Sequence, residues 1–154
     1  MRKTNYYLIL TGLLLSMLMC CKPVANQETT WAILPFTKVD SLNPVLTAGH
    51  HSFTCPVLKQ PVRWDEKDVF NPAAVVRGGH VWLLFRAEDT IGKYAGTSRI
   101  GLAVSDDGLH FNKMEEPVLY PQEDSMKVYE WEGGIEDPRI VEREDSLYVL
   151  TYTA

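Results

Sequence analysis

The chain has 154 residues, 45% of them hydrophobic, and a formal net charge of −5 at pH 7 that grows more acidic once Arg2 and Lys3 leave with an N-terminal leader. Such acidity excludes nucleic acid as a partner, because a phosphate backbone is met by a basic face. Of the three cysteines, two fall in that leader. Cys55 is left alone as a small buried apolar residue with no internal disulfide, and no Cys/His spacing fits a zinc site, so no metal is expected.

Residues 1–21 read as an address. Arg2 and Lys3 make a basic start, and Leu8–Met19 is an apolar run too short for a comfortable membrane span. It closes in Leu18-Met19-Cys20-Cys21, which resembles the lipobox of bacterial lipoproteins. Cys21 is the better candidate for acylation, Cys20 the alternative, and an ordinary signal peptide or uncleaved anchor the other reading. The implied location is outside the cytoplasm, periplasmic or at the cell surface, with the membrane as a partner through the lipid. Residues 22–30 are polar and aperiodic, as suits a tether.

Residues 31–154 read as the N-terminal part of a single domain. Its first stretch, Trp31–Asp68, reads as irregular, since Pro35, Pro44, Pro56 and Pro61 break any helix. His50-His51 lacks a third ligand and is read as a loop pair. Strand material follows in His80–Ala87 and Arg99–Ser105, and the tight turn Ser105-Asp106-Asp107-Gly108 leads to a third strand beginning at Leu109-His110-Phe111. Gln122–Glu130 reads as a polar loop, and no long segment has a helical period. The predicted class is all-β.

One pattern occurs twice. Asn71-Pro72, an apolar patch, a break and Val81-Trp82-Leu83-Leu84-Phe85 match Asp137-Pro138, Ile140-Val141, a break and Leu147-Tyr148-Val149-Leu150-Thr151, at an offset of 66 positions that the sequence carries without a gap to its end. Repeats of this kind mark an array or a propeller. Only two units fit, whereas propellers close with roughly four to eight blades. The expectation is a fragment of a longer chain, inactive and poorly stable alone.

The chemistry concentrates in Gly133-Gly134-Ile135-Glu136-Asp137-Pro138-Arg139, which sets two carboxylates and an arginine on a constrained turn. Glycosyl transfer needs an acid to protonate the departing oxygen and a nucleophile or base opposite it. Glu136 and Asp137 are the candidates, and neighbouring strand residues point to opposite faces, so only one should face the centre. The repeat selects Asp137, which falls on Asn71, and leaves Glu136 to pair with Arg139 or a neighbouring unit. Asp137 as a mere turn cap is the other reading. Arg86 ends an apolar strand and either grips a ligand or pairs with Glu88 or Asp89. Trp131 stands ready to stack on a sugar or to staple the loop to the core.

Taken in order, Phe70-Asn71-Pro72-Ala73-Ala74, Phe85-Arg86-Ala87-Glu88-Asp89, Ser98-Arg99-Ile100-Gly101-Leu102-Ala103 and Gly134-Ile135-Glu136-Asp137-Pro138-Arg139, ending in Thr151-Tyr152-Thr153-Ala154, resemble glycoside hydrolase family 130. The resemblance implies a five-bladed β-propeller, of which this chain holds about the first two blades, acting on β-mannosides. It implies Asp137 as proton donor and Asn71 and Arg86 as holders of the sugar. Glu88, Asp89, Trp131, Glu136 and Arg139 complete the expected substrate-binding set. No cofactor is implied, though phosphorylases of the family use inorganic phosphate as co-substrate. Export would squander a sugar phosphate. The expected activity is therefore inverting hydrolysis of β-1,2- or β-1,4-linked manno-oligosaccharides, with a phosphorylase releasing mannose 1-phosphate as the alternative, and a non-catalytic glycan-binding lipoprotein as the second.

Overall fold

The computed structural model describes residues 36–94 and 96–154. The leader, Cys20, Cys21, the tether and Trp31 lie outside the described residues. From Val39 onward the described chain forms one compact unit, built of eight strands, one turn of 3-10 helix (Asp40–Leu42) and one short α-helix. It is all-β in character, as the sequence predicts.

The stretch expected to be irregular contains a hairpin. Strands β1 (Ser52–Cys55) and β2 (Gln60–Arg63) pair antiparallel. Phe53, Cys55, Val62 and Trp64 all point from it into the core. The prolines forbid a helix here but not a hairpin: Pro56 follows β1 directly, and Pro61 sits in a two-stranded sheet where every strand is an edge. Cys55 is buried, as expected.

The central sheet has the sequential order β3-β4-β5-β6, comprising Asp68–Arg77, His80–Glu88, Ser98–Ser105 and Asn112–Lys113. The third predicted strand therefore starts later than expected. Asp107 Oδ1 accepts the backbone N–H groups of Leu109 and His110, each at 2.8 Å, which holds those residues in the turn rather than in the strand. Successive residues of β4 face opposite ways. Leu83, Phe85 and Ala87 meet Trp64 and the β1–β2 hairpin on one side, while Leu84 packs with Ile100 and Ile135 on the other. A strand buried on both faces reads as an unbroken apolar run, which is why β4 was easy to find. Each such large side chain, fully buried, contributes on the order of 1.5–3 kcal/mol.

The segment read as a polar loop contains helix α1 (Lys127–Glu130), a single turn whose Glu130 is buried and accepts a 2.7 Å hydrogen bond from the Tyr152 hydroxyl. After it, β7 (Glu136–Glu142) and β8 (Tyr148–Thr153) form a second hairpin.

The internal repeat is real in its first half and shifts in its second. Phe70 pairs with Arg86 and Ala73 with Leu84, while Glu136 pairs with Thr153 and Arg139 with Thr151. The entering strands keep the offset of 66 seen between Asn71 and Asp137. The return strand is displaced by one residue, so Arg86 matches Thr153 and not Tyr152. The cause is the turn. Gly78-Gly79, both at positive φ, join β3 to β4 in two residues, whereas β7 and β8 need the longer loop from Arg143 to Leu147.

The two hairpin systems are joined at Gly134. It forms a parallel bridge with Ser98, flanked by hydrogen bonds from Ser98 N to Gly133 O at 2.8 Å and from Ile135 N to Ser98 O at 2.9 Å. Gly134 has φ +107°, and a Cβ there would lie 2.2 Å from the Ser98 carbonyl oxygen, whereas one on Gly133 would meet nothing within 4 Å. Gly134→Ala in the full-length protein should therefore cost at least about 2 kcal/mol through overpacking and strain, and Gly133→Ala less than about 0.5 kcal/mol. Urea unfolding midpoints of the two variants check this, and equal midpoints would refute the close approach.

Candidate active site

Two matched irregularities place the candidate residues. Asn71 and Asp137 have φ of +46° and +48°, and each precedes a proline. Each lies in a bulge: Asn71 and Pro72 fall between the pairs Phe70–Arg86 and Ala73–Leu84, and Asp137 and Pro138 between Glu136–Thr153 and Arg139–Thr151. Asparagine and aspartate tolerate the left-handed region better than most residues, so the strain is moderate. The bulges bring the two side chains together, with Asn71 Nδ2 donating to Asp137 Oδ1 at 2.7 Å.

Arg86 binds the rest. Its Nη2 donates to Glu88 Oε1 at 2.6 Å and to Glu136 Oε1 at 2.9 Å, its Nη1 reaches Asp137 Oδ1 at 3.3 Å, and its Nε donates to Ser98 Oγ at 2.9 Å. The guanidinium carbon stands 4.6 Å from the centre of the Phe70 ring, a cation–π distance. Arg86 is only 15% exposed, so a lone charge there would be costly and the carboxylates are needed. Lys67 completes the group through a 2.7 Å contact with Glu88 Oε2.

The expectation that only one of Glu136 and Asp137 faces the centre does not hold. Both reach Arg86, because the bulge at Asp137 breaks the alternation of a regular strand. Of the two partners open to Glu136, the structure selects the neighbouring sheet. Arg139 instead donates to the backbone carbonyls of Asp137 and Pro138, at 3.1 and 2.9 Å, and so braces the bulge. The two partners considered for Arg86 also separate. Glu88 takes it, while Asp89 is fully buried, pairs with Arg99 at 2.6 Å and receives the backbone N–H groups of Ile91 and Thr97. Asp89 thus stands apart from the cluster, as part of the core. Trp131 is half-buried and packs against the main hydrophobic core.

Sequence reasoning missed Ser98, Lys67 and Phe70. A signal existed for Ser98, since an antiparallel pairing of β4 with β5 sets it opposite Glu88. His50 is exposed, while His51 pairs with the buried Asp65 at 2.8 Å, which also binds Lys113. Among the described residues no group of three or more His, Cys, Asp or Glu side chains is placed to hold a metal ion.

The electrostatics follow from these contacts. The Asn71 amide holds the Asp137 carboxyl below the usual aspartate range; partial desolvation opposes this, and Arg86 reinforces it. For Glu88 burial pushes upward, but hydrogen bonds from Lys67 and Arg86 outweigh it and the net direction is down. Two cations face three carboxylates, so the cluster carries one excess negative charge.

The sequence profile of glycoside hydrolase family 130, described as β-1,4-mannooligosaccharide phosphorylase, matches residues 40–154. A 1,2-β-oligomannan phosphorylase from Thermoanaerobacter sp. (strain X514) is 39% identical over 105 residues, covering 64% of this chain and 33% of its own length. A solved putative glycoside hydrolase from Bacteroides ovatus is 46% identical with a TM-score of 0.73, over 80% of this chain and 35% of that one. Another solved structure comes from work on the GH130 family of mannoside phosphorylases and its glycoside hydrolases that target β-1,2 mannosidic linkages in Candida mannan. It is 43% identical with a TM-score of 0.74, over 79% of this chain and 35% of that one. The chain spans about a third of the length of these relatives. With the profile matched over most of its length, the chain belongs to glycoside hydrolase family 130.

Proposed function

We propose that the full-length protein cleaves β-mannosidic bonds with inversion at the Arg86 cluster, within a five-bladed β-propeller, and that Asp137 supplies the proton to the departing oxygen. The observation that carries this reading is the joining of Asp137, on its bulge, to Asn71 and Arg86 of the neighbouring sheet. Asn71 and Arg86 hold hydroxyls of the sugar next to the bond, and Glu88 and Glu136 keep the guanidinium in place.

The low pKa of Asp137 has a defined role in this scheme. A carboxylate bonded by an amide and a guanidinium stays ionised and has no proton to give. A sugar hydroxyl whose oxygen accepts the Asn71 or Arg86 N–H groups in place of the carboxylate removes that stabilisation, and the sugar excludes water. Both changes raise the pKa, and Asp137 then takes up and delivers a proton, directly or through that hydroxyl. The excess negative charge of the cluster favours the positive charge that develops at the anomeric carbon. As the bond from that carbon to the leaving oxygen breaks, the acceptor attacks from the opposite face.

Two acceptors complete this half-reaction, and each has its own support. The description of the matched profile and that of the Thermoanaerobacter relative favour phosphate. The likeness to the structure linked with β-1,2-mannoside hydrolases favours water, as does the leader, read as an export and lipidation signal at Cys21. Metabolic labelling with a radioactive fatty acid should mark the wild-type protein and fail with Cys21→Ala; label retained by that variant would reject Cys21 as the anchor.

The full-length protein without its leader should release mannose from β-manno-oligosaccharides in phosphate-free buffer if water is the acceptor, and mannose 1-phosphate only in phosphate buffer otherwise. Asp137→Asn should lower kcat by about 10²- to 10⁴-fold in either case while leaving oligosaccharide binding within about tenfold. Unchanged turnover would reject Asp137 as the acid, and saturable binding with no turnover by the wild type would point to a glycan-binding protein.

The ion pairs of Glu88 give a pH dependence of stability. Its folded pKa lies below the ordinary glutamate value of 4.5. The contribution is therefore complete above that value and is lost as pH falls through the depressed folded value. Glu88→Gln should be destabilising at neutral pH, and the gap to wild type should narrow as the pH is taken below 4.5 and through the depressed folded value. Thermal melts across that range measure it, and a gap independent of pH would show that the charge contributes nothing.

A further inference from the structure

Immediately before the catalytic turn the chain forms a second concave feature that the cleavage chemistry does not use. A cleft of about 380 Å³ is lined by Lys93, Tyr94, Tyr129, Trp131, Glu132 and Gly133. Its volume falls in the range of small-ligand sites. Tyr129 and Tyr94 are 68% and 65% exposed. Aromatic rings left this open offer flat apolar faces to a ligand rather than to the core.

Glu132 adds an independent observation. Its Oε2 is shielded from solvent and has no hydrogen-bond partner among the described residues. A buried carboxylate oxygen without a donor is costly, and a ligand carrying hydroxyl groups removes that cost. Lys93, whose Nζ lies 5.2 Å from the centre of the Tyr94 ring, also lines the cleft and supplies N–H donors. Ring faces, an acceptor in need of donors and a flanking cation together fit a pyranose, whose apolar face stacks and whose rim hydrogen-bonds.

Position ties the cleft to the cluster. Gly133 lines it and accepts the N–H of Ser98 at 2.8 Å, and Thr97 Oγ1 donates to the Glu132 carbonyl at 3.1 Å. Ser98 is the residue whose hydroxyl accepts from Arg86. The cleft thus opens one residue upstream of the Ser98–Gly134 bridge on both strands, and Arg86, Glu136 and Asp137 gather on the other side of it. We infer that the Tyr94–Tyr129–Trp131–Glu132 cleft is a distal sugar-binding subsite that takes a further unit of a β-linked manno-oligosaccharide, beyond the bond that is cleaved. The assignment rests on the mannoside reading above and sets which chain lengths the protein prefers.

The test compares full-length wild type with Tyr129→Ala and Glu132→Gln on β-mannobiose and on β-mannotetraose. Tyr129 is exposed among the described residues, and urea unfolding midpoints equal to wild type check that its loss leaves the full-length fold intact. Both variants should raise KM for the tetraose by roughly three- to tenfold, the loss expected for one ring face or one charged acceptor, with kcat and all mannobiose constants unchanged. A KM that is unchanged for the tetraose, or raised equally for both substrates, would overturn the assignment. So would a Tyr129→Ala variant with unaltered kinetics that elutes as a smaller species, because the surface would then join copies of the chain. Titration with mannotetraose followed by tryptophan fluorescence separates the two readings. If the wild type cleaves neither substrate yet binds the tetraose, and Tyr129→Ala binds it several-fold more weakly, cleavage fails and the subsite stands. No binding by the inactive wild type would remove both.

Discussion

The site depends on one steric fact: the backbone of Gly134 lies against the backbone of Ser98 with no room for a side chain between them. Only glycine permits that approach, both because a Cβ would overlap the Ser98 peptide and because φ is +107° there. The parallel bridge that results fixes the start of β7 relative to β4 and β5 before any charged group is considered. Ile135, buried against Leu84 and Ile100, secures the same junction with apolar contact. Glu136 and Asp137 follow within three residues of Gly134, and so inherit their placement from a backbone contact rather than from their own ion pairs.

Arg86 then converts that placement into a site. A guanidinium is planar with donors in a fixed fork, and Ser98 takes the Nε edge so that the two Nη groups must face the carboxylates. Lys67 acts one step removed, holding the far oxygen of Glu88. Because Ser98 belongs both to the steric bridge and to the hydrogen-bond network, packing and electrostatics are not separable here. A shift of β7 along β5 would change the geometry at Arg86 as surely as a lost hydrogen bond. Pre-organisation of this kind is what allows fixed dipoles to act on a transition state without reorganising.

Much of the architecture was legible because its physical causes are local. The double burial of β4 writes an unbroken apolar run into Val81–Phe85, and the matched Asn71-Pro72 and Asp137-Pro138 pairs announce equivalent positions, which prove to be bulges inside β3 and β7 rather than strand ends. What stayed hidden depends on events the sequence encodes weakly. The β1–β2 hairpin was concealed by prolines that rule out a helix while leaving edge strands open. That Glu136 reaches Arg86 alongside Asp137 was missed because alternation was assumed through a bulge. The slip that matches Arg86 with Thr153 comes from one extra residue in a polar turn, where neither hydrophobic period nor turn glycine marks the change. Ser98 and Lys67 carry no distinctive chemistry by themselves; they matter because of what antiparallel pairing and the Gly134 contact set beside them.

The two bulges also explain why an internal repeat produced an asymmetric pair. Equivalent positions in the two units bring their side chains to 2.7 Å. Two aspartates at that separation would share a proton, since like charges so close cannot both ionise. Two asparagines would meet without an acid. Asn71 with Asp137 is the combination that leaves one ionisable group and gives it a neutral donor. The amide donates to the carboxylate and favours its charged form. The difference at that pair of matched positions gives the two units unlike side chains at a point where they meet.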